Sequence, residues 1–408
     1  MIRQAAWLVA VTALLGTACS DASGPGGFLV DSTETAANIP LVATVPVPAS
    51  YGIHDTFVRD GLVFACVWNT GLIIYDVGNG IRGGSPTAPV EVGRVVTANN
   101  GTPGPEVHNA WWFHNPTNGQ KRYVFVGQEG PASIGSTSTG DIHVVDVTDM
   151  ARPVEVAFYH MSGTPAAGTH NFWMDEAAQV LYAAYYNGGV VALDVSGTLA
   201  GDLATRELAR FKPATTMFTW GVQVANNSVY LSDMLTGFWQ LKFSGTAFTA
   251  AAGGSNVPDR YGADLWVNSS FAYSSTWGGQ PRSVAGSTPP GNYGNAIKVW
   301  SLSATGAPTL VDSVVIQGVQ TTSDVKGTTD GKLLVVTAEG GTRAGLYVFS
   351  LADPARPSLV GVSRGSSSPS GSSGLHTLKI GEIGGKRYVF AAKNPSSPAL
   401  LIYDISAF

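Results

Sequence analysis

The sequence predicts an all-β fold: a seven-bladed β-propeller of four-stranded antiparallel blades, with its ring closed by an N-terminal strand. Three observations predict it. First, a phrase of apolar residues recurs along the chain. It reads Gly71-Leu72-Ile73-Ile74-Tyr75-Asp76-Val77, then Asp141-Ile142-His143-Val144-Val145-Asp146-Val147 and Gly189-Val190-Val191-Ala192-Leu193-Asp194-Val195. It returns as Gly345-Leu346-Tyr347-Val348-Phe349-Ser350-Leu351 and Ala399-Leu400-Leu401-Ile402-Tyr403-Asp404-Ile405. Recurrence at roughly 40 to 60 residues marks one supersecondary unit copied and stacked. Second, the flanks repeat too. Asp149-Met150-Ala151-Arg152-Pro153 returns as Asp353-Pro354-Ala355-Arg356-Pro357, and Lys121-Arg122-Tyr123-Val124-Phe125-Val126 as Lys386-Arg387-Tyr388-Val389-Phe390-Ala391. Third, the last unit stops at Phe408 after its third strand, while Pro40 to Pro48 resembles a fourth strand standing before the first unit. Pairing the two ends hides the open sheet edges.

Taken in order, the chain opens with an address. Arg3 precedes an apolar run from Ala5 to Leu15, too short to cross a bilayer and suited to a secretory signal. Residues 1–19 end in Leu15-Gly16-Thr17-Ala18-Cys19, which resembles a bacterial lipoprotein signal, in which the Cys is lipidated. That resemblance implies a lipid on Cys19 and a place in the cell envelope. Ser20 after the Cys is similar to signals sorted to the outer membrane. Residues 20–38 read as a flexible tether, and 39–408 as the propeller. Cys66, the other cysteine, leaves no disulfide and reads as a small buried apolar residue.

In the first repeat unit, His54 to Val58 is strand a, Leu62 to Val67 strand b, Gly71 to Val77 strand c and Val90 to Val96 strand d. Gly, Pro, Asn and Asp punctuate these β-branched and aromatic runs. Later units start at His108, His170, Trp220, near Asp264, near Ser323 and at His376. No stretch carries a helical period of useful length. Fifty glycines and 12% charged residues suit tight turns and sheets packed face to face. A net charge of −5 offers no basic patch, so nucleic-acid binding is not expected. A monomer is expected.

The repeated core, apolar residues leading into Asp-Val and then Asp-x-x-x-Pro, resembles the LVIVD repeat. That family comprises surface-associated β-propellers of bacteria and archaea. The resemblance spans residues 40 to 408, with the fourth and fifth units departing from it: Gly237-Phe238-Trp239-Gln240-Leu241-Lys242-Phe243 lacks the Asp. It implies the fold and the address, and leaves the chemistry to the residues themselves.

Sorting the loops by face gathers the candidate site. His54, His108, His170 and His376 open strand a in four units that a closed ring makes neighbours, with Trp220, Asp264 and Ser323 at about that place in the others. The b-to-c turns on the same face carry Trp68, Asn69, Glu129, Tyr186, Asn187, Asp233, Glu339 and Lys393-Asn394. The longest insertions, Gly130 to Gly140, Trp277 to Asn295 and Ser363 to Gly374, also fall there, as on the binding face of a repeat protein. The expectation is a non-catalytic binding or scaffold module whose ligand is a protein, peptide or carbohydrate, held by Trp68, Asn69, Tyr186, Asn187, Asp233 and Trp277. The alternative is a metal-dependent propeller enzyme, hydrolase or oxidase-like, with a transition metal on the histidine arc and Glu129 or Glu339. Histidines opening strand a also serve simply to hold blades together. Asp76, Asp146, Asp194 and Asp404, ending strand c, read as turn caps. His114, His143 and His160 have no counterparts in the repeat and read as solvated or core. His-Glu-x-x-His, Gly-x-Ser-x-Gly and phosphate-loop motifs are absent. Gly78-Asn79-Gly80-Ile81-Arg82-Gly83 matches Gly-x-Gly-x-x-Gly in letters only, because no helix can follow it.

Overall fold

The computed structural model describes residues 27–31, 33–48, 52–98, 106–129, 139–163, 168–213, 216–278, 294–303, 306–364, 374–393 and 397–408. The signal segment with Cys19, residues 20–26, Asn394 and most of the three long insertions lie outside them.

The first repeat folds as the sequence predicts. Asp55–Arg59, Leu62–Val67, Gly71–Asp76 and Val90–Val95 form an antiparallel meander in chain order. Its two middle strands are buried at every position, whereas Val90–Val95 is half exposed. A continuous apolar run is what a strand covered on both faces requires. The same meander recurs from each inner strand: Val107–Phe113, Phe172–Asp175, Thr219–Ala225, Tyr261–Asn268, Thr321–Gly327 and Leu375–Ile383. The last of these sheets takes its outer strand from the other end of the chain. Leu41–Pro46 runs antiparallel to Ala399–Asp404, with Thr44 opposite Leu401 and Val45 opposite Leu400.

The core lies between sheets rather than within one. One cluster joins Phe64 and Ile74 to Trp112 and Val126; others join each later sheet to the next. The last joins Tyr388, Phe390 and Ile402 back to Val63 and Ile73 of the first. Burial of apolar faces between neighbours thus stabilises every sheet, at about 25 cal/mol per Å².

Two repeated residues have local physical causes. Gly71 and Gly189, opening the phrase, have φ of +94° and +81°, and a Cβ there would meet the outer strand's carbonyl oxygen at 2.2 and 2.1 Å. Only glycine permits both. The phrase's Asp accepts the N–H two residues on, from Thr148, Ser196 and Ser406, each at 2.9 Å. Asp76 goes further and accepts from the N–H groups of Gly78, Asn79, Gly80, Arg82 and Gly84. Burial would raise its carboxyl, but these donors hold it at about 2. The glycine-rich loop that matches a dinucleotide fingerprint in letters therefore wraps a carboxylate of its own chain.

One expectation is corrected. The sequence reads as a flexible tether from 20 to 38, but Phe28–Val30 pairs in parallel with Thr309–Ile316, and Ala37–Asn38 with Ser358–Arg364. Val30 is fully buried, and its carbonyl accepts from Arg343. The apolar Phe28-Leu29-Val30 run gives this segment a sheet edge to cover.

Candidate functional site

Strand register places the side chains around the axis in layers. Phe57, Trp111, Trp173, Gln223, Trp266, Lys326 and Lys379 each stand opposite the equivalent residue of the neighbouring strand in their own sheet. Three residues before each stands the mouth layer: His54, His108, His170, Trp220, Ala263, Ser323 and His376. The fifth unit thus places Ala263, not Asp264, at the mouth. Asp264 sits one residue deeper, level with Asp55 and Asp324.

The four mouth histidines do converge. Ring centroids lie 5.4 Å apart for His54 and His108, 5.1 Å for His54 and His376, and 4.1 Å for His108 and His170. Potential ligand atoms of His54, His108 and His376 lie within 4.8 Å of one another, as do those of His108, Glu129 and His170. Glu129 Oε2 stands 3.7 Å from His54 Nδ1 and 3.8 Å from His108 Nε2.

Glu339 stands behind this set rather than in it. His376 Nδ1 donates to its carboxylate at 2.5 Å, and Ser323 Oγ donates to the same oxygen. A carboxylate on Nδ1 fixes the tautomer and aims Nε2 away from it, the usual support of a metal-bound imidazole. Burial would lower the His376 pKa, but Glu339, with Glu129 and Asp324, raises it to about 9, so without a metal this ring is an imidazolium at neutral pH, and a metal would have to displace its Nε2 proton.

His108 and His170 are the opposite case. Both are buried, at 0% and 1% exposure, and no ring nitrogen of either makes a well-formed hydrogen bond with a described residue; the backbone of His170 lies near His108, and the Trp220 backbone and Asn171 side chain near His170, as weak partners only. Burial, reinforced by neighbouring histidines, pushes both well below the ordinary histidine pKa. They are therefore neutral lone-pair donors at neutral pH. Burial pushes Glu129 up to about 7, against the hydroxyl of Tyr186, which donates to it.

The expected binding face is mostly a supporting wall. Trp68 is buried and stacks on His54 at 4.2 Å; Tyr186 is buried and meets His170 edge-on at 5.3 Å. Trp220, also at the mouth, covers His170 at 4.0 Å. Trp277 packs against Tyr261. Asn187 is partly buried, and Asn69 is the exposed one of the set. Asp233 is not a contact residue. It is fully buried and accepts from Phe218 N, Thr219 Oγ1, Leu235 N and Thr236 N, capping its own turn. Elsewhere, His143 pairs with Glu155 at 2.7 Å and His160 with Asp141 at 2.6 Å, and His114 lies edge-on to Trp112.

Beneath the mouth, a chamber of about 240 Å³ is lined by residues of every inner strand. Sequence reading missed it, although a fixed offset of three from each strand-opening histidine marks its aromatic and lysine wall.

This molecule is a β-propeller. Its fold is similar to the β-propeller domain of Cps50 (Swd1) from Myceliophteria thermophila: TM-score 0.56 and 9% identity, covering 90% of this chain and 99% of that one. The computationally designed protein Ika8 aligns with a TM-score of 0.49 and 11% identity, over 86% of this chain and 83% of that one. At such identities the likeness concerns the fold alone. No protein-family model and no curated protein sequence matches this chain.

Proposed function

We propose that this chain is a lipid-anchored envelope propeller of seven four-stranded blades, related to the LVIVD-repeat proteins, whose channel mouth is a transition-metal centre and binding face. The blade count rests on the recurring meander and on the core clusters that return from the last sheet to the first. The anchor rests on the Cys19 signal. Cys19→Ser is expected to move the protein from the membrane to the soluble fraction and to abolish incorporation of labelled palmitate. Equal membrane retention of the variant, with no label in wild type, would reject the anchor.

One observation carries the metal reading. Two buried imidazoles, His108 and His170, make no well-formed hydrogen bond with a described residue, in a place where four histidines and a carboxylate converge. Buried polar atoms left unsatisfied cost about 1–3 kcal/mol each; a metal ion is the partner that would remove that cost. Nitrogen donors with one carboxylate suit zinc, iron, nickel or copper. One of two triads sharing His108 would hold it: His54, His108 and His376, with Glu339 orienting His376, or His108, Glu129 and His170. A metal supplies Lewis acidity where a ligand's oxygen enters the mouth. This moves the weight from a purely non-catalytic scaffold toward metal-assisted recognition.

Elemental analysis of tag-free protein is expected to give about one transition metal per chain at pH 7.5. Metal should be lost near pH 5, as protons compete for the imidazoles. Protein that stays metal-free through purification and takes up no zinc, copper, iron or nickel on titration would reject the centre.

A further inference from the structure

The chamber below the mouth is two-sided. On one side, the first three sheets contribute Phe57, Trp111 and Trp173, with neighbouring ring centroids 5.0 and 5.5 Å apart. On the other, the last three sheets contribute Asp264, Asp324, Lys326 and Lys379, with Trp266 among them. Asp55 stands where the two arcs meet, and accepts from Thr56 N at 2.7 Å. Lys326 pairs with Asp264 and, at 2.7 Å, with Asp324.

The indoles here differ from the aromatics at the mouth. Trp68, Tyr186 and Trp220 are buried against histidines, whereas Trp111, Trp173 and Trp266 keep part of their surface uncovered although they stand on the innermost strands. The open aromatic platforms of this molecule are therefore in the chamber. Lys379 Nζ lies 5.0 Å from the Phe57 ring centroid and 5.2 Å from that of Trp111, which leaves Trp173 as the platform without a cation on it.

The side chains present set the class of occupant. An anion would lie among three carboxylates and a cation beside two ammonium groups, and like charges brought together in a closed space are costly. Hydroxyl groups meet neither cost. They donate to carboxylates, which offer about four lone-pair sites each, and accept from an ammonium, which offers three N–H donors.

We propose that this chamber is a second ligand site, distinct from the metal centre, that takes one neutral sugar ring. The C–H face of the ring lies on the Trp173 indole, and its hydroxyl rim reaches Lys379 and the carboxylates across the chamber. A volume of about 240 Å³ falls below the roughly 300–1,000 Å³ of drug-sized pockets, so the occupant is a single ring rather than a chain of them.

Calorimetric titration at pH 7.0 tests the assignment, with methyl glucoside, methyl galactoside and methyl mannoside as probes. The matching uronates and amino sugars are the anionic and cationic controls. At least one glycoside is expected to bind with 1:1 stoichiometry, and more tightly than either charged counterpart. Failure of all three glycosides to bind overturns the proposal, as does a uronate or amino sugar that binds as tightly as its neutral parent or more so. Trp173→Ala should lose at least tenfold in affinity, and Trp173→Phe should retain most of it; unchanged affinity in a folded Trp173→Ala protein would place the sugar elsewhere and overturn the site. If Trp173→Ala does not fold, Lys379→Met decides: the lost charged donor should cost at least tenfold, and unchanged affinity rejects the chamber. Chelator-treated protein should bind the glycoside equally well; dependence on metal would assign the binding to the mouth instead.

Discussion

Alanine at position 108 is expected to abolish metal binding while leaving the chelator-treated protein within about 1 kcal/mol of wild type. His108 belongs to both groups of converging donors, so no alternative triad survives its loss. Loss of a ligand should exceed the 10–100-fold weakening typical of second-shell changes. The stability half of the expectation follows from the same geometry. A histidine that merely held blades together would lose a buried hydrogen bond worth about 1–3 kcal/mol on truncation. The His108 ring makes at most a weak bond, to the His170 backbone, so its loss removes a poorly satisfied polar group as well as ring contacts, and the two effects oppose. Denaturant melts of chelated wild type and His108→Ala, beside metal analysis of both, check this. A large destabilisation of the chelated variant with metal retained would mean a structural histidine.

The pH dependence separates the groups. His108 and His170 have folded pKa values well below the unfolded 6.5. Their contribution to stability is present above pH 6.5 and is lost as pH falls. Glu129 runs the other way: its folded value of about 7 exceeds the unfolded 4.5, so its contribution is present below pH 4.5 and lost as pH rises through 7. Metal-free His108→Ala should therefore lose stability less steeply between pH 6.5 and 5 than the metal-free wild type.

Deleting residues 28–48 is expected to be the most damaging change of all. It removes the outer strand opposite Ala399–Asp404 and the strands that cover two other sheet edges. It also uncovers Ile402 and Leu400, which are otherwise fully buried. Open edges beside exposed apolar faces favour aggregation. The truncated protein should melt with a broader, lower transition and accumulate in insoluble fractions. Unchanged melting and solubility would show that the segment only decorates the surface.

The fold was legible because its causes are local and repeated. Gly71 and Gly189 answer a carbonyl contact, and the Asp of each phrase caps its own turn, so both recur with the strand they serve. The strand pairing of residues 41–46 was legible from a missing partner at the other end. The mouth histidines were legible because they occupy one position of the repeat. The rest depends on what faces what across the axis. Asp264 and Ala263 differ by one residue, and the bulge between Gly262 and Leu265, invisible in the letters, decides which stands at the mouth. Tyr186 and Trp68 read as open platforms because turn aromatics are usually exposed, whereas convergence of the sheets buries them against the histidines. The Lys379 chamber draws on residues about 50 apart along the chain, each unremarkable alone.

The pairing of Leu41–Pro46 with Ala399–Asp404 also sets an order of events. Leu41–Pro46 cannot dock until Ala399–Asp404, far along the chain, has been made. Such long-range pairing is slow to form. Until then the growing protein carries an unclosed sheet at each end, both prone to misassociation. The early Phe28–Val30 and Ala37–Asn38 pairings shorten that interval. They bind residues 28–38 to sheets completed before the last one, so the waiting strand is already held nearby when Ala399–Asp404 emerges.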